Sequence, residues 1–152
     1  MRAFLETFWQ EILRPLFLRP KRVQVAALCL RQGDDGVEVL MITSRGTGRW
    51  ILPKGWPING LDGAEAAARE AWEEAGVLVR RIWRRPVGSY SYDKIQEGGV
   101  PEPVHTNLYR IDVAGLADRF PEQGQRERRW MRPAEAAELV DEEELGTILR
   151  RY

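Results

Sequence analysis

The sequence predicts a layered domain of the α/β or α+β class, in which a mixed sheet carries helices on its faces. Residues 23–30 form a nearly continuous apolar run, which is typical of a strand covered on both faces. Turn residues at 33–36 separate this run from a second apolar segment at 37–43, so the two segments are predicted to form a hairpin. A segment rich in Ala and Glu at 64–75 predicts a helix. Strands mixed with helices in this order favour a sheet with helices packed on it.

The rest of the chain supplies further strands and two short helices. Residues 50–53 predict a short extended piece between the hairpin and the helix. After the helix, apolar patterning predicts three strands, a brief edge segment and two C-terminal helices, at 77–83, 87–92, 104–113, 130–131, 133–140 and 142–151.

Length and charge limit the classes of protein. The chain has 152 residues, 43% of them hydrophobic, and its 23 Lys and Arg balance 23 Asp and Glu. Such a chain is expected to form one domain and to be too apolar and too evenly charged for disorder. The zero net charge argues against a general polyanion binder, so no stable nucleic-acid complex is expected. The single cysteine, Cys29, cannot form an internal disulfide, which indicates a reducing, cytoplasmic setting.

The first 20 residues predict a separate amphipathic helix. Apolar pairs recur at 4/5, 8/9, 12/13 and 16/17, and Glu6, Glu11 and Arg14 make the segment too polar to span a membrane. It lacks a signal-peptide cleavage pattern, and Pro15 should kink or end the helix. We expect it to pack on its own domain or on a second subunit in a homodimer. Contact with a membrane surface is the alternative.

The Ala- and Glu-rich helix carries the densest group of chemically active side chains. Asp62 can cap its start, with Glu65 completing a capping-box-like pair, and Gly76 suits its C-terminal cap. Acidic side chains at spacing i, i+3 and i+4 share one helical face, although like charges repel, and the opposite face is lined by alanines that permit close approach to a sheet. Convergent carboxylates suit hard cations such as Mg²⁺. The three acidic residues on this helical face are Glu70, Glu73 and Glu74.

Residues 55–77, GWPINGLDGAEAAAREAWEEAGV, resemble the Nudix box, G-x5-E-x7-R-E-U-x-E-E-x-G-U, where U is a bulky apolar residue. Two positions depart from the pattern: Leu61 stands at the first Glu, and Ala71 is smaller than the usual apolar residue. Glu65 lies four residues before Arg69 and could pair with it in place of that first Glu. The resemblance covers most of residues 21–152, which we take as a Nudix hydrolase domain. The residues in register are Gly55, Arg69, Glu70, Glu73, Glu74, Gly76 and Val77.

The resemblance implies an α/β/α sandwich and hydrolysis of a diphosphate linked to another moiety. It implies that Glu70 and Glu74 are metal ligands, that Glu73 is the catalytic base or a further ligand, and that the Gly55 carbonyl completes the site. Arg69 would hold a neighbouring glutamate in its ligating geometry. The implied cofactor is Mg²⁺, with Mn²⁺ as the alternative.

The loop before the box resembles the branch of the family that cleaves diphosphoinositol polyphosphates and diadenosine polyphosphates. Its cations suit a phosphate-rich small-molecule substrate. The expected substrate-binding residues are Ser44, Arg45, Arg49, Lys54 and Gly55. A hydrolase that trims the 5′ end of RNA is one alternative. A catalytically silent binding module is another, suggested by Leu61.

Other polar and aromatic residues receive structural interpretations. Four arginines around Trp83, at 80, 81, 84 and 85, are expected to lie on a solvated edge strand, with base stacking on Trp83 as the alternative. Arg126, Arg128 and Arg129 are expected to pair with Glu127 on the surface, although Glu127 could instead supply a late acid to the site. His105 should hydrogen bond within its strand, and Tyr90 and Tyr92 should pack on one sheet face.

Overall fold

The computed structural model describes residues 22–95 and 98–152, so the predicted N-terminal helix at 1–20 lies outside the described residues. The strands are β1 Arg22–Gly33, β2 Gly36–Thr43, β3 Trp50–Ile51, β4 Lys54–Gly55, β5 Val77–Ile82, β6 Gly88–Ile95, β7 Pro101–Leu116 and β8 Arg128–Met131. The helices are α1 Gly63–Ala75, α2 Pro133–Leu139 and α3 Glu143–Leu149. Every element predicted within the described ranges is present, with ends shifted by a few residues.

The described strands form one mixed sheet whose centre is β1. The main path of the sheet runs β3-β2-β1-β7-β5, while β4 pairs with β1, β6 with β7 and β8 with β2. β1 and β2 form the predicted antiparallel hairpin, and β1 pairs in parallel with β7. The mixed sheet expected from the sequence is therefore confirmed.

Alternate residues of β1 enter two different hydrophobic cores. Val25, Ala27 and Cys29 join the core on the α1 side, which includes the buried alanines of that helix. Ala26, Leu28 and Leu30 join the core on the opposite face, against α2 and α3. The continuous apolar run thus reflects burial on both faces, and the three-layer α/β/α sandwich is confirmed.

Helix α1 begins and ends with the predicted caps. The Asp62 carboxylate accepts a hydrogen bond from the Glu65 N–H at 2.7 Å. Gly76 adopts the left-handed conformation, with φ 68° and ψ 28°, that a side chain would disfavour. Ala67, Ala71 and other small side chains on the helix are buried, so α1 lies close to the sheet and its orientation is fixed.

Candidate active site

The acidic face of α1 lies against the short strand β4. The backbone N–H of Lys54 donates a hydrogen bond to Oε2 of Glu74 at 3.1 Å. Gly55 lies against Glu70, and a Cβ added at Gly55 would overlap the carboxyl group of Glu70. Glu70 and Glu74 therefore lie next to β4, which contains Gly55, the residue whose carbonyl is predicted to bind the metal. Strand β4 has this position because it pairs with β1 at Val25 and Ala26, beside the helix.

A buried arginine from the segment before β8 reaches the same carboxylates. Nη2 of Arg126 lies 3.6 Å from Oε1 of Glu74, and both side chains are 9% exposed. The same nitrogen lies 3.3 Å from Oε1 of Glu122, while Nη1 donates to the Thr43 carbonyl at 3.2 Å. The prediction that Arg126 is a surface cation paired with Glu127 is therefore wrong. Pairing of β8 with β2 brings Arg126 next to Thr43, over the end of α1.

Glu122 is a further acidic residue of this cluster, and the sequence alone did not predict it. Its backbone N–H donates to the Glu73 carbonyl at 2.9 Å, which fixes the late segment to α1. Its carboxylate lies 3.5 Å from Nη1 of Arg45. Glu127, in contrast, pairs with Arg129 at 3.3 Å on the surface, as predicted. The same prediction for Arg128 is wrong, because Arg128 donates to the backbone carbonyls of Ala75 and Ala117. No sequence signal separates Glu122 from Glu127, because both lie in the same charged segment and only tertiary packing distinguishes them.

Burial and mutual repulsion make the ionised forms of the carboxylates on the acidic face unfavourable when no cation is bound. Burial, with the charges of Glu73 and Glu122, raises the pKa of Glu70 to about 7. Burial also raises the pKa of Glu74 to about 7, although Arg126 and the Lys54 N–H oppose the shift. A divalent cation held between these carboxylates would offset both the desolvation and the repulsion.

The residues present fit a hard cation in type and in neighbourhood. Carboxylates of Glu70 and Glu74 and the Gly55 carbonyl are the oxygen donors that Mg²⁺ prefers. Within residues 22–95 and 98–152, no three His, Cys, Asp or Glu side chains are close enough together to form a metal site by themselves. A metal site here would therefore combine side-chain and backbone oxygens and keep bound water, as Mg²⁺ usually does.

Arg69 and Glu65 do not form the predicted pair. Oε1 of Glu65 accepts from Nη1 of Arg84 at 2.9 Å, and the same Arg84 nitrogen lies 3.1 Å from Asp62. Arg69 is exposed, and in the part of the chain that the structure describes it forms no ion pair. Its charge nevertheless lowers the pKa of Glu70, against the larger effect of burial. The prediction that Glu65 pairs with Arg69 in place of the missing first Glu of the motif is thus wrong. Leu61, which stands at that position, packs against the core on the α1 side.

A cavity of about 910 Å³ brings together three of the predicted substrate-binding residues, Ser44, Arg45 and Arg49. Tyr92 and Lys94 line it as well. The Ser44 hydroxyl lies 2.6 Å from the Thr47 hydroxyl and accepts from the Arg49 N–H at 3.2 Å, which stabilises the loop.

Lys54 connects this cavity with the acidic face. Its ammonium lies 3.9 Å from the centre of the Tyr92 ring, while its backbone N–H binds Glu74. Burial lowers the pKa of Lys54 to about 8. Arg45 forms a second connection, since it lines the cavity and contacts Glu122. The predicted phosphate-binding residues and the predicted metal ligands therefore belong to one continuous polar region.

The remaining predicted polar and aromatic residues have structural contacts. Arg81 lies over the Trp83 ring at 3.9 Å, and the Trp83 indole donates to Asp112 at 3.1 Å, next to the edge strand β5. His105 and Ser91 lie 3.4 Å apart through Nδ1 and Oγ, as the strand prediction requires. Tyr90 and Tyr92 both pack against the core on the α2–α3 side, as predicted, with ring centroids 6.4 Å apart, and Tyr92 also lines the cavity.

Comparison with known proteins assigns the family. The family model of the NUDIX domain matches residues 20–152, and the chain therefore belongs to the Nudix family. Nudix hydrolase 13, mitochondrial, of Arabidopsis thaliana is 32% identical over 127 residues, which cover 78% of this chain and 61% of that protein. Nudix hydrolase 16, mitochondrial, of the same organism is 36% identical over 105 residues, which cover 67% and 57%.

Solved structures show the same fold at lower identity. An Ap4A hydrolase of C. elegans superposes with a TM-score of 0.61 at 21% identity, covering 87% of this chain and 96% of that one. The NUDIX domain of Shewanella oneidensis NrtR, complexed with ADP ribose, gives 0.63 at 17% identity, covering 96% and 97%. The chain spans about six tenths of the length of the curated relatives it matches. Within the described residues, no helix is both long and apolar enough to cross a membrane.

Proposed function

We propose that the chain is a divalent-metal-dependent pyrophosphohydrolase that cleaves a diphosphate linkage in dinucleoside polyphosphates or diphosphoinositol polyphosphates. One observation carries the proposal: Glu70 and Glu74 lie against the backbone of β4, with the buried guanidinium of Arg126 beside Glu74. Family membership supports the reaction class, and Nudix hydrolases generally use divalent metals.

Each group at the site has a role in this reaction. Glu70, Glu74 and the Gly55 carbonyl hold the cation, which is Mg²⁺ or Mn²⁺. Bound there, the cation neutralises phosphate oxygens and lowers the pKa of a bound water. Glu73 serves as the base that accepts the proton of the attacking water. Arg69 is exposed at the adjacent position, and its charge favours the ionised, metal-binding form of Glu70.

Arg45 and Lys54 bind the phosphate chain of the substrate. Arg45 and Lys54 lie at the two connections between the cavity and the acidic face, so a bound phosphate chain can extend from one to the other. Ser44 adds a hydroxyl at the cavity wall. Arg49 lines the same cavity but is already paired with two acidic side chains.

A phosphate-release screen over diphosphate compounds tests the proposal. Release should require added Mg²⁺ or Mn²⁺ and should stop with EDTA. Glu73→Gln should lower the rate by several orders of magnitude with the fold intact. Glu65→Gln is the matched control on the same helix, because Glu65 pairs with Arg84 away from the acidic face. Absence of release from every compound would favour a silent binding module instead.

The RNA alternative is separated by a direct comparison of substrates. Diadenosine tetraphosphate should be turned over faster than triphosphorylated RNA, because the chain has no net positive charge and Trp83 is held by Asp112 and Arg81. Faster cleavage of the RNA would replace the proposed substrate class.

Location and assembly complete the proposal. We propose that the protein acts in the cytoplasm and that it forms a homodimer. The buried thiol of Cys29 is consistent with a reducing compartment, although the curated relatives named above are mitochondrial. Sedimentation of the full chain at two concentrations tests the dimer, and a monomer at both would exclude it.

A further inference from the structure

The cavity beside the acidic face contains more negative than positive side chains. Among its described lining residues, three carry cations, namely Arg45, Arg49 and Lys94. Five carry carboxylates, namely Asp93, Asp141, Glu142, Glu143 and Glu144. A cavity built for a second cluster of phosphates would show the opposite balance, because phosphate sites collect arginine and lysine.

Glu142 is the buried member of the acidic wall. Its side chain is 6% exposed, and Oε1 accepts a hydrogen bond from Nη1 of Arg49 at 2.9 Å. Asp141, which is 70% exposed, lies 3.2 Å from the same nitrogen. Burial lowers the pKa of Arg49, whereas the hydrogen bonds and charges of Glu142 and Asp141 raise it, and the net result is a pKa above the ordinary value. Arg49 is therefore already neutralised inside the cavity.

A phosphate placed next to Arg49 would have to displace Glu142 or lie beside it, and either arrangement is unfavourable in a partly buried site. An uncharged group with N–H and O–H donors would instead satisfy the carboxylates.

We propose that Glu142 is a specificity-determining residue, which holds Arg49 and adapts the cavity to the uncharged, hydrogen-bond-donating end of a substrate. That end has the chemistry of a nucleoside, whose amino and hydroxyl groups donate, and a volume of about 910 Å³ accommodates it. This inference rests on the proposed function and narrows it to nucleoside polyphosphates rather than phosphate-covered inositol rings.

Binding measured without turnover tests this inference. The probes are α,β-methylene-ADP, which resists hydrolysis, and inositol hexakisphosphate, which has no diphosphate bond. Calorimetry with the full chain at a fixed Mg²⁺ concentration should show at least tenfold tighter binding of α,β-methylene-ADP. Glu142→Gln should reduce this preference for the nucleotide at least tenfold, mainly because the variant binds inositol hexakisphosphate more tightly. Glu138→Gln is the control, because Glu138 is exposed and outside the cavity.

Two outcomes would overturn the inference. In the first, the wild-type protein binds inositol hexakisphosphate as tightly as the nucleotide. In the second, Glu142→Gln weakens both probes equally, which is the result of a merely structural role. If Glu142→Gln does not fold, the Asp141→Asn variant takes its place in the test. It should reduce the preference for the nucleotide by a smaller factor. Selective nucleotide binding without phosphate release would contradict the proposed hydrolase and leave the selectivity intact.

Discussion

The guanidinium of Arg126 lies 3.6 Å from the carboxylate of Glu74, and both side chains are 9% exposed. The contact joins the segment before β8 to the end of α1, so the late segment and the acidic helix support each other. Since Nη2 also lies near Glu122, Arg126 is shared between two carboxylates. Its position makes it a structural partner of a residue that we assign to the metal site.

Removing Arg126 should destabilise the metal-free protein. Arg126→Ala leaves Glu74 buried without its cation, and loss of one partner of a buried ion pair costs about 3–5 kcal/mol. Urea denaturation in EDTA measures the loss. Arg129→Ala is the control, because Arg129 pairs with Glu127 on the surface and should cost no more than about 1 kcal/mol. Equal losses for the two variants would contradict the buried-pair account.

A side chain at Gly55 should disturb the acidic face without unfolding the sheet. In Gly55→Ala the new Cβ meets the carboxyl group of Glu70, which must move away. We expect at least a tenfold loss of phosphate release and of Mg²⁺ affinity, measured kinetically and by calorimetry. Gly115→Ala is the control, because nothing lies within 4 Å of its Cβ position. Wild-type kinetics in Gly55→Ala would argue against a site at this position.

Stability in EDTA should fall as the pH rises through the acidic range. The folded-state pKa values of Glu70 and Glu74 are raised from 4.5 to about 7, so the folded protein holds protons that the unfolded chain releases between these pH values. The free energy of unfolding attributable to these groups therefore decreases from about pH 4.5 to about pH 7. Denaturation of the wild type and of Glu70→Gln/Glu74→Gln across this window isolates the effect.

Magnesium should reverse that trend. Because the ionised carboxylates bind the cation, Mg²⁺ should stabilise the wild type more at pH 8 than at pH 5.5, and the double variant at neither pH. Stabilisation that is independent of pH, or equal in the double variant, would place the cation elsewhere.

Arg45, Arg49 and Lys54 should contribute unequally to substrate affinity. Arg45→Ala and Lys54→Ala should raise KM, and more so for longer phosphate chains, because both cations connect the cavity with the acidic face. Arg49→Ala should change KM less, since Glu142 and Asp141 already neutralise Arg49. Steady-state kinetics on diadenosine tri-, tetra- and pentaphosphate measures the effects. Identical changes for every chain length would count against these assignments.

Local sequence patterns predicted most of the fold. The apolar run of β1, the Asp62 cap and the Gly76 cap each depend on neighbouring residues, and each is present. Contacts between distant segments were not predictable in this way. Arg126 and Arg49 are ordinary arginines in polar segments, and only the tertiary fold buries one against Glu74 and pairs the other with Glu142.

A crystal structure with Mn²⁺ and a non-hydrolysable diphosphate tests whether the acidic face of α1 binds the cation, because Mn²⁺ is located by its anomalous scattering. We expect an ion coordinated by Glu70, Glu74 and the Gly55 carbonyl, with a phosphate oxygen among its ligands. Density for the diphosphate with no ion on the acidic face, and with both carboxylates directed into solvent, would contradict it.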